Sequence, residues 1–253
     1  MKNTDKLLIA KLKELREILN DSEDKDAAIR ELHSIYDTVI EDHKKNVLDK
    51  WYDFAKEKRM DVFAIGDEIK LCKSREEDRD SYIKLQKENA IMPRAFEMDG
   101  FEDLLWGEAC DEKVFCVSVR RKTDDVYMGY CSIKNIQKDD LELAVELLKE
   151  FHGHGYGRQA LTLFLISIKE YAGIDSFKAL VDGENISSQK MCEACGGKPS
   201  GIAEYLLHDK EYMEKYEQEN QNEITDQMRE IAKKFSVSPE KLLTHVLVYR
   251  FKI

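Results

Sequence analysis

Apolar residues recur every three or four positions through the first sixty residues, and that spacing predicts helices. "LLIAKLKELREIL" shows it first, and "DKDAAIRELHSIYDTVI" repeats it after the acidic break "NDSEDKD". "NVLDKWYDFAKEKRM" then completes a helical hairpin or three-helix layer. Residues 1–66 therefore read as an N-terminal helical region, an appendage for packing or dimerisation, so a homodimer is one expectation. Substrate recognition is the other role this region could serve.

The period changes near "DVFAIGDEIKLCKS", where "EIKLCKS" alternates as a strand does. Ser74 opens "SREEDRDSYIKLQKEN", and Glu77 three residues later suggests a capping box at the start of a helix. "FEDLLWGEAC" predicts a second helix. "KVFCVSVRR", "KTDD" and "VYMGYCSIKNI" predict strand, turn and strand, and "LELAVELL" (141–148) predicts a further strand. A helix over about 158–173, a strand at "FKALVDG", a helical "NISSQKMCEAC" and a strand at "GIAEYLLH" follow. Residues 209–235 read as helical, Ser238-Pro239 offers a cap with proline in the first turn, and "THVLVYRFKI" closes as a strand. Antiparallel strands followed by β-loop-α-β-α make a mixed α/β (α+β) fold. Residues 67–253 form its domain, with a helical insertion at about 209–240.

Between the strand 141–148 and the next helix lies "HGHGYG", with glycines at 153, 155 and 157. Glycine accepts positive φ and lets backbone N–H groups approach a ligand. Such groups before a helix N-terminus form an anion nest that suits a phosphate or pyrophosphate. A P-loop would need Gly-Lys-Ser/Thr, and the chain has Gly157-Arg158-Gln159. "GYGRQA" does satisfy the dinucleotide pattern G-x-G-x-x-A, with Asp182 at the end of the next strand as a ribose-binding acid. Against that reading, antiparallel strands precede the loop and too little α/β chain follows for a second mononucleotide half. Coenzyme A is the third phosphate-bearing candidate.

Composition narrows the partners. A net charge of −11 over 253 residues disfavours nucleic acid and acidic membranes and welcomes a cationic partner such as an amine. With 42% hydrophobic residues and three prolines, the chain can bury a core. It has no window of about 20 apolar residues and a charged N-terminus, so a cytoplasmic location is expected. The six cysteines then read as reduced thiols, and Cys192-x-x-Cys195 lacks the second pair a metal site would need, so no metal is expected.

With "HGHGYG" followed by "ALVDGENISSQKMCEACGG", the chain resembles the GNAT family of N-acetyltransferases. Gly155 and Gly157 match the glycines of that family's Arg/Gln-x-x-Gly-x-Gly/Ala loop, with His152 in place of Arg or Gln. Asn185, Ser188 and Gly196 match its Asn-x-x-Ser/Ala helix, with Gly197 in place of phenylalanine. The resemblance covers about 67–208 and the last strand. It implies acetyl-CoA as co-substrate, an amine acceptor and direct attack on the thioester. It also implies that strand 141–148 splays from strand 177–183, with the pantetheine arm bonding the backbone of Val145 and Leu147. The pyrophosphate would rest on His152, Gly153, His154, Gly155, Tyr156, Gly157 and Arg158, with Asn185 and Ser188 nearby. Tyr156 would pack under the loop.

For catalysis, the Leu147 N–H is an oxyanion donor and a carboxylate or His should act as base. Glu142 and Glu146 share one strand face, and Glu146 is nearer the thioester. The family's glutamate five residues before the asparagine is Leu180 here, and its tyrosine seven residues after is Cys192. Cys192 is therefore the candidate acid, with Ser188 or Tyr205 as alternatives. A non-catalytic acyl-CoA-binding protein and a nicotinamide-dependent oxidoreductase remain the other readings.

Overall fold

The computed structural model describes residues 29–30, 62–90, 92–111, 113–136, 140–204 and 208–253. The chain divides into two compact units, Met1–Asp53 and Phe54–Ile253. In the first, Ile29 and Arg30 are helical. The other helical stretches expected between residue 1 and about 60 lie outside the described residues, as does Tyr205.

In the second unit, alternation of apolar and polar positions builds a five-stranded antiparallel sheet. Its strands are β1 (Ala64–Ile65), β2 (Ile69–Lys73), β3 (Phe115–Arg121), β4 (Tyr127–Ile133) and β5 (Leu143–Leu147), paired in that order. One face carries Leu71, Phe115, Val117, Val119, Cys131, Ile133, Leu143 and Leu147, all buried. The helix α3 (Tyr156–Ala172) covers it with Leu161, Phe164, Leu165 and Ile168, spaced three or four apart. The Phe115 and Phe164 rings stack at 5.9 Å, and Phe63 meets both edge-on.

The opposite face is covered by α1 (Arg79–Glu88), on which α2 (Phe101–Ala109) packs through Trp106 against Tyr82. This face is polar for a buried one. Asp78, 2% exposed, forms an ion pair with buried Arg120 and accepts from Ser118 Oγ at 2.7 Å. That network corrects the expected capping box at Ser74 and Glu77. Asp78, not Ser74, caps the turn by accepting from Arg75 N at 3.0 Å, and α1 begins at Arg79 after the 3₁₀ turn Glu76–Asp78. Ser74 Oγ instead lies 3.3 Å from Ser118 Oγ, because the β3 partners draw this segment onto the sheet.

A second sheet holds β6 (Ser176–Val181), β7 (Lys198–Glu204) and β8 (His245–Lys252), in the order β6-β8-β7 and antiparallel throughout. The helix α4 (Ile186–Ala194) joins β6 to β7. The polar stretch between β7 and β8 forms two helices, α5 (Lys210–Glu219) and α6 (Asp226–Phe235). Ser238-Pro239 then opens only a 3₁₀ turn, Pro239–Leu243. The mixed α/β architecture read from the sequence is borne out, with its parallel contact reduced to one bridge between the two sheets.

Candidate active site

That bridge, between Glu142 and Lys178, is where β5 and β6 meet, and Lys178 N donates to Leu141 O at 2.9 Å beside it. Asp140 locks this end. It holds Arg250 through both guanidinium nitrogens at 2.7 and 3.2 Å and Lys178 at 3.0 Å. The Arg250 bonds hold the Asp140 carboxyl below its ordinary range. Beyond the bridge the two strands share no ladder.

The register decides which backbone groups face the resulting gap. Lys134 N donates to Glu142 O and Leu148 N to Met128 O, both at 2.9 Å, so even-numbered β5 residues bond β4. Alternation therefore turns the N–H and C=O of Leu143, Val145 and Leu147 toward β6. His152 closes back on this edge, its Nε2 lying 2.8 Å from Leu147 O. A carbonyl only accepts, so Nε2 carries the hydrogen. His152, expected among the phosphate contacts, thus ties the loop to the strand and keeps only Nδ1 for another partner.

The loop that follows has left-handed backbone at Gly153 (φ 78°) and Gly155 (φ 81°), which a side chain would strain. Gly157 is close-packed rather than left-handed. It lies in the first turn of α3, where a Cβ would approach Met191 Sδ of α4 to 3.0 Å. The first intrahelical bond runs from Gln159 N to Gly155 O at 3.1 Å. The amides of Tyr156, Gly157 and Arg158 precede it and have no intrahelical partner, as at any helix start. Tyr156 is half-buried with its ring 5.9 Å from that of His154, and Arg158 is exposed.

Across the gap, Asn185 caps α4 by accepting from Ser188 N at 3.0 Å. Asp182 accepts from Glu184 N at 2.7 Å and forms the turn before that cap. The antiparallel second sheet has no second mononucleotide half, which removes the dinucleotide reading of "GYGRQA".

The structure separates the two candidate carboxylates. Glu142 pairs with Lys134 at 2.6 Å. Glu146 lies on the α1 face, where Oε1 accepts from Tyr130 Oη at 2.7 Å and Oε2 from Asn89 Nδ2 at 3.1 Å. Neither Tyr130 nor Asn89 was singled out from the sequence. The only signal was Tyr130's place on the alternate face of a strand that is apolar on both sides.

Cys192 does not join this group. Its side chain is 2% exposed, and burial pushes the thiol up to about 12. An acid that weak holds its proton at neutral pH, and the site favours the small buried hydrophobe reading. Thiolate is the reactive form, so native Cys192 is expected to resist iodoacetamide at pH 8 while exposed Cys110 is labelled. Mass spectrometry before and after unfolding in urea checks this, and native labelling of Cys192 would contradict it. Cys195 shares no disulfide with Cys192, and no cluster of His, Cys, Asp or Glu able to hold a metal occurs among the described residues. No described helix is long and apolar enough to cross a membrane.

Residues 68–198, just over half of the chain, match the family model "Acetyltransferase (GNAT) domain". No curated protein matches. Among solved structures, the chain is similar to RimL, a ribosomal L7/L12 α-N-protein acetyltransferase, in complex with coenzyme A. The two share 13% identity over 76% of this chain and 98% of that one, with a TM-score of 0.52. A chimera of spermidine N-acetyltransferase SpeG from Vibrio cholerae and hSSAT matches at 16% identity, over 74% of this chain and 96% of that one, with a TM-score of 0.51. A GNAT-family acetyltransferase from Bacillus anthracis matches at 11%, over 75% and 96%, with a TM-score of 0.50. At such identities the likeness is one of fold, and it is the same fold in each. Together with the family model, it shows that the chain belongs to the GNAT family of acetyl-CoA-dependent N-acetyltransferases.

Proposed function

We propose that this protein transfers the acetyl group of acetyl-CoA to a primary amine by direct attack of the amine on the thioester. The observation that carries the reading is the gap between β5 and β6, which opens onto a left-handed glycine loop at a helix start and has a carboxylate on the adjoining strand. Acetyl-CoA supplies the activated acyl group. Val145 and Leu147 would hold its pantetheine arm through the backbone, and the amides from Gly153 to Arg158 would hold its pyrophosphate.

Glu146 takes a proton from the acceptor's ammonium or attacking amine. The N–C bond forms as the C–S bond breaks, with the Leu147 N–H directed at the developing oxyanion. An alkyl thiol ionises near about 8.5, so the sulfur can depart as thiolate without a dedicated acid such as Cys192. Much of the rate comes from holding the two reactants in line. The acceptor is small-molecule or protein, and the acidic chain favours a cationic one.

On the same reading, the acetyltransferase domain is the unit Phe54–Ile253 with 209–240 as an insertion, and the expected boundary at 66/67 falls too late because Phe63 and β1 (Ala64–Ile65) already belong to its core and sheet. Lys234 of α6 pairs with Glu193 of α4, which attaches the insertion to the helix carrying the asparagine motif. Isothermal titration should detect binding of acetyl-CoA but not NADPH, and thiol release should appear with at least one amine in a panel. Binding without turnover on any amine would point to an acyl-CoA-binding protein and overturn the catalytic reading.

A further inference from the structure

One row of α1 converges on Glu146. Tyr82, Gln86 and Asn89 stand at i, i+4 and i+7, so they share one helix face. Tyr82 packs its ring on Tyr130 with centroids 5.4 Å apart. Gln86 Nε2 donates to Tyr130 Oη at 3.4 Å, Tyr130 Oη donates to Glu146 Oε1 at 2.7 Å, and Asn89 Nδ2 donates to Glu146 Oε2 at 3.1 Å. Tyr130 and Glu146 are also direct cross-strand partners of β4 and β5, so the backbone register alone brings phenol and carboxylate together.

The end of α1 is pinned to the same strand and its outgoing turn. Glu88 Oε2 accepts from Lys149 N at 3.2 Å, and Lys84 pairs with Glu150 at 3.0 Å. These two contacts fix where Asn89 arrives.

The donor count closes. A phenol has one hydrogen, and Tyr130 gives it to Glu146 while accepting from Gln86. Burial, with the Glu146 charge beside it, pushes the Tyr130 hydroxyl well above its ordinary range, so it stays a donor. Glu146 therefore receives one donor on each oxygen and retains lone pairs on both for an incoming proton.

Resting on the reading of Glu146 as the base, we infer that Tyr130 and Asn89 are positioning residues of the reaction. They hold the Glu146 carboxylate in one orientation, and α1 is the lever that sets them. A hydrogen bond to a charged group is a strong one, and this pair makes Glu146 depend on an element that packs over it rather than on its own strand.

Tyr130→Phe keeps the buried ring and its contact with Tyr82, and Asn89 lies at the exposed end of α1, so Asn89→Ala leaves the core untouched. Each is expected to lower kcat by about ten- to a hundredfold, with KM for acetyl-CoA and the urea midpoint little changed. In a Glu146→Gln background the same substitutions should have almost no further effect, because their action runs through that carboxylate. Full activity in both variants, or an equal loss with and without the Glu146 carboxylate, overturns the positioning role while leaving the base in place. Full turnover by Glu146→Gln alone removes the base and this inference with it. A wild-type chain that binds acetyl-CoA but acetylates no amine overturns both.

Discussion

Replacing Glu146 with glutamine is expected to lower kcat by about 10²- to 10⁴-fold and leave acetyl-CoA affinity unchanged. The side chain sits on the α1 face of β5, whereas the backbone of the same strand faces β6 at the neighbouring residues Val145 and Leu147. Glutamine keeps the shape, but its single amide oxygen can accept from only one of Tyr130 and Asn89 where they stand. It cannot take a proton from an ammonium, so the loss is confined to the chemical step. The amine must then arrive already neutral, and raising the pH should recover part of the rate as free amine becomes abundant. The comparison needs single-turnover kinetics beside titration of acetyl-CoA binding. A loss below about threefold would show that Glu146 is not the base.

The second large effect is expected at Gly129, and it is structural. This residue pairs with Leu147 across β4 and β5. A Cβ placed there would lie 2.0 Å from Glu146 O and 2.8 Å from Leu147 Cα, both backbone atoms that cannot swing aside. Gly129→Ala must therefore push the two strands apart at the point where Glu146 is carried and Leu147 turns toward the gap. Overpacking usually costs about 1–3 kcal/mol, and this substitution is expected at or above the top of that range because the obstacle is main chain. Urea denaturation measures the stability and the thiol-release assay the activity, and both should fall. An alanine variant with wild-type stability and turnover would mean that β4 and β5 do not approach as closely as described.

Gly129 shows how the sequence can be legible in type and silent in consequence. A glycine inside a strand signals a bulge or a close approach, but not what approaches. The three glycines of "HGHGYG" carry the same lesson. They read as one motif, yet Gly153 and Gly155 take left-handed backbone whereas Gly157 does not and lies close against the Met191 side chain. The motif marked a turn with left-handed backbone just before a helix, because that freedom belongs to the glycines themselves. It could not show that His152 would bond Leu147, since that depends on how the chain doubles back after β5.

The catalytic half was the less legible one. Glu146 was favoured over Glu142 by its place along the strand, and the structure adds a physical difference: one faces two donors, the other a lysine. The donors come from positions far along the chain, Asn89 and Tyr130, and no local pattern joins them to Glu146. Cys192 stands where the family pattern places a tyrosine, but the face of α4 it occupies points into the core. At Ser74, a sound local capping rule lost to a tertiary one, because Arg120 and Ser118 recruit Asp78 from across the sheet.

The amino-acid sequence by itself therefore determined most strands and helices of the described domain, β1 excepted, and the glycine loop at the start of a helix. Each of these is set by contacts within a few residues, through side-chain period or backbone freedom. Only the tertiary structure decided where β5 and β6 part, which backbone groups face that gap, and which donors hold Glu146. Those depend on cross-strand register and on helix α1 lying over the sheet, where residues distant in the chain meet.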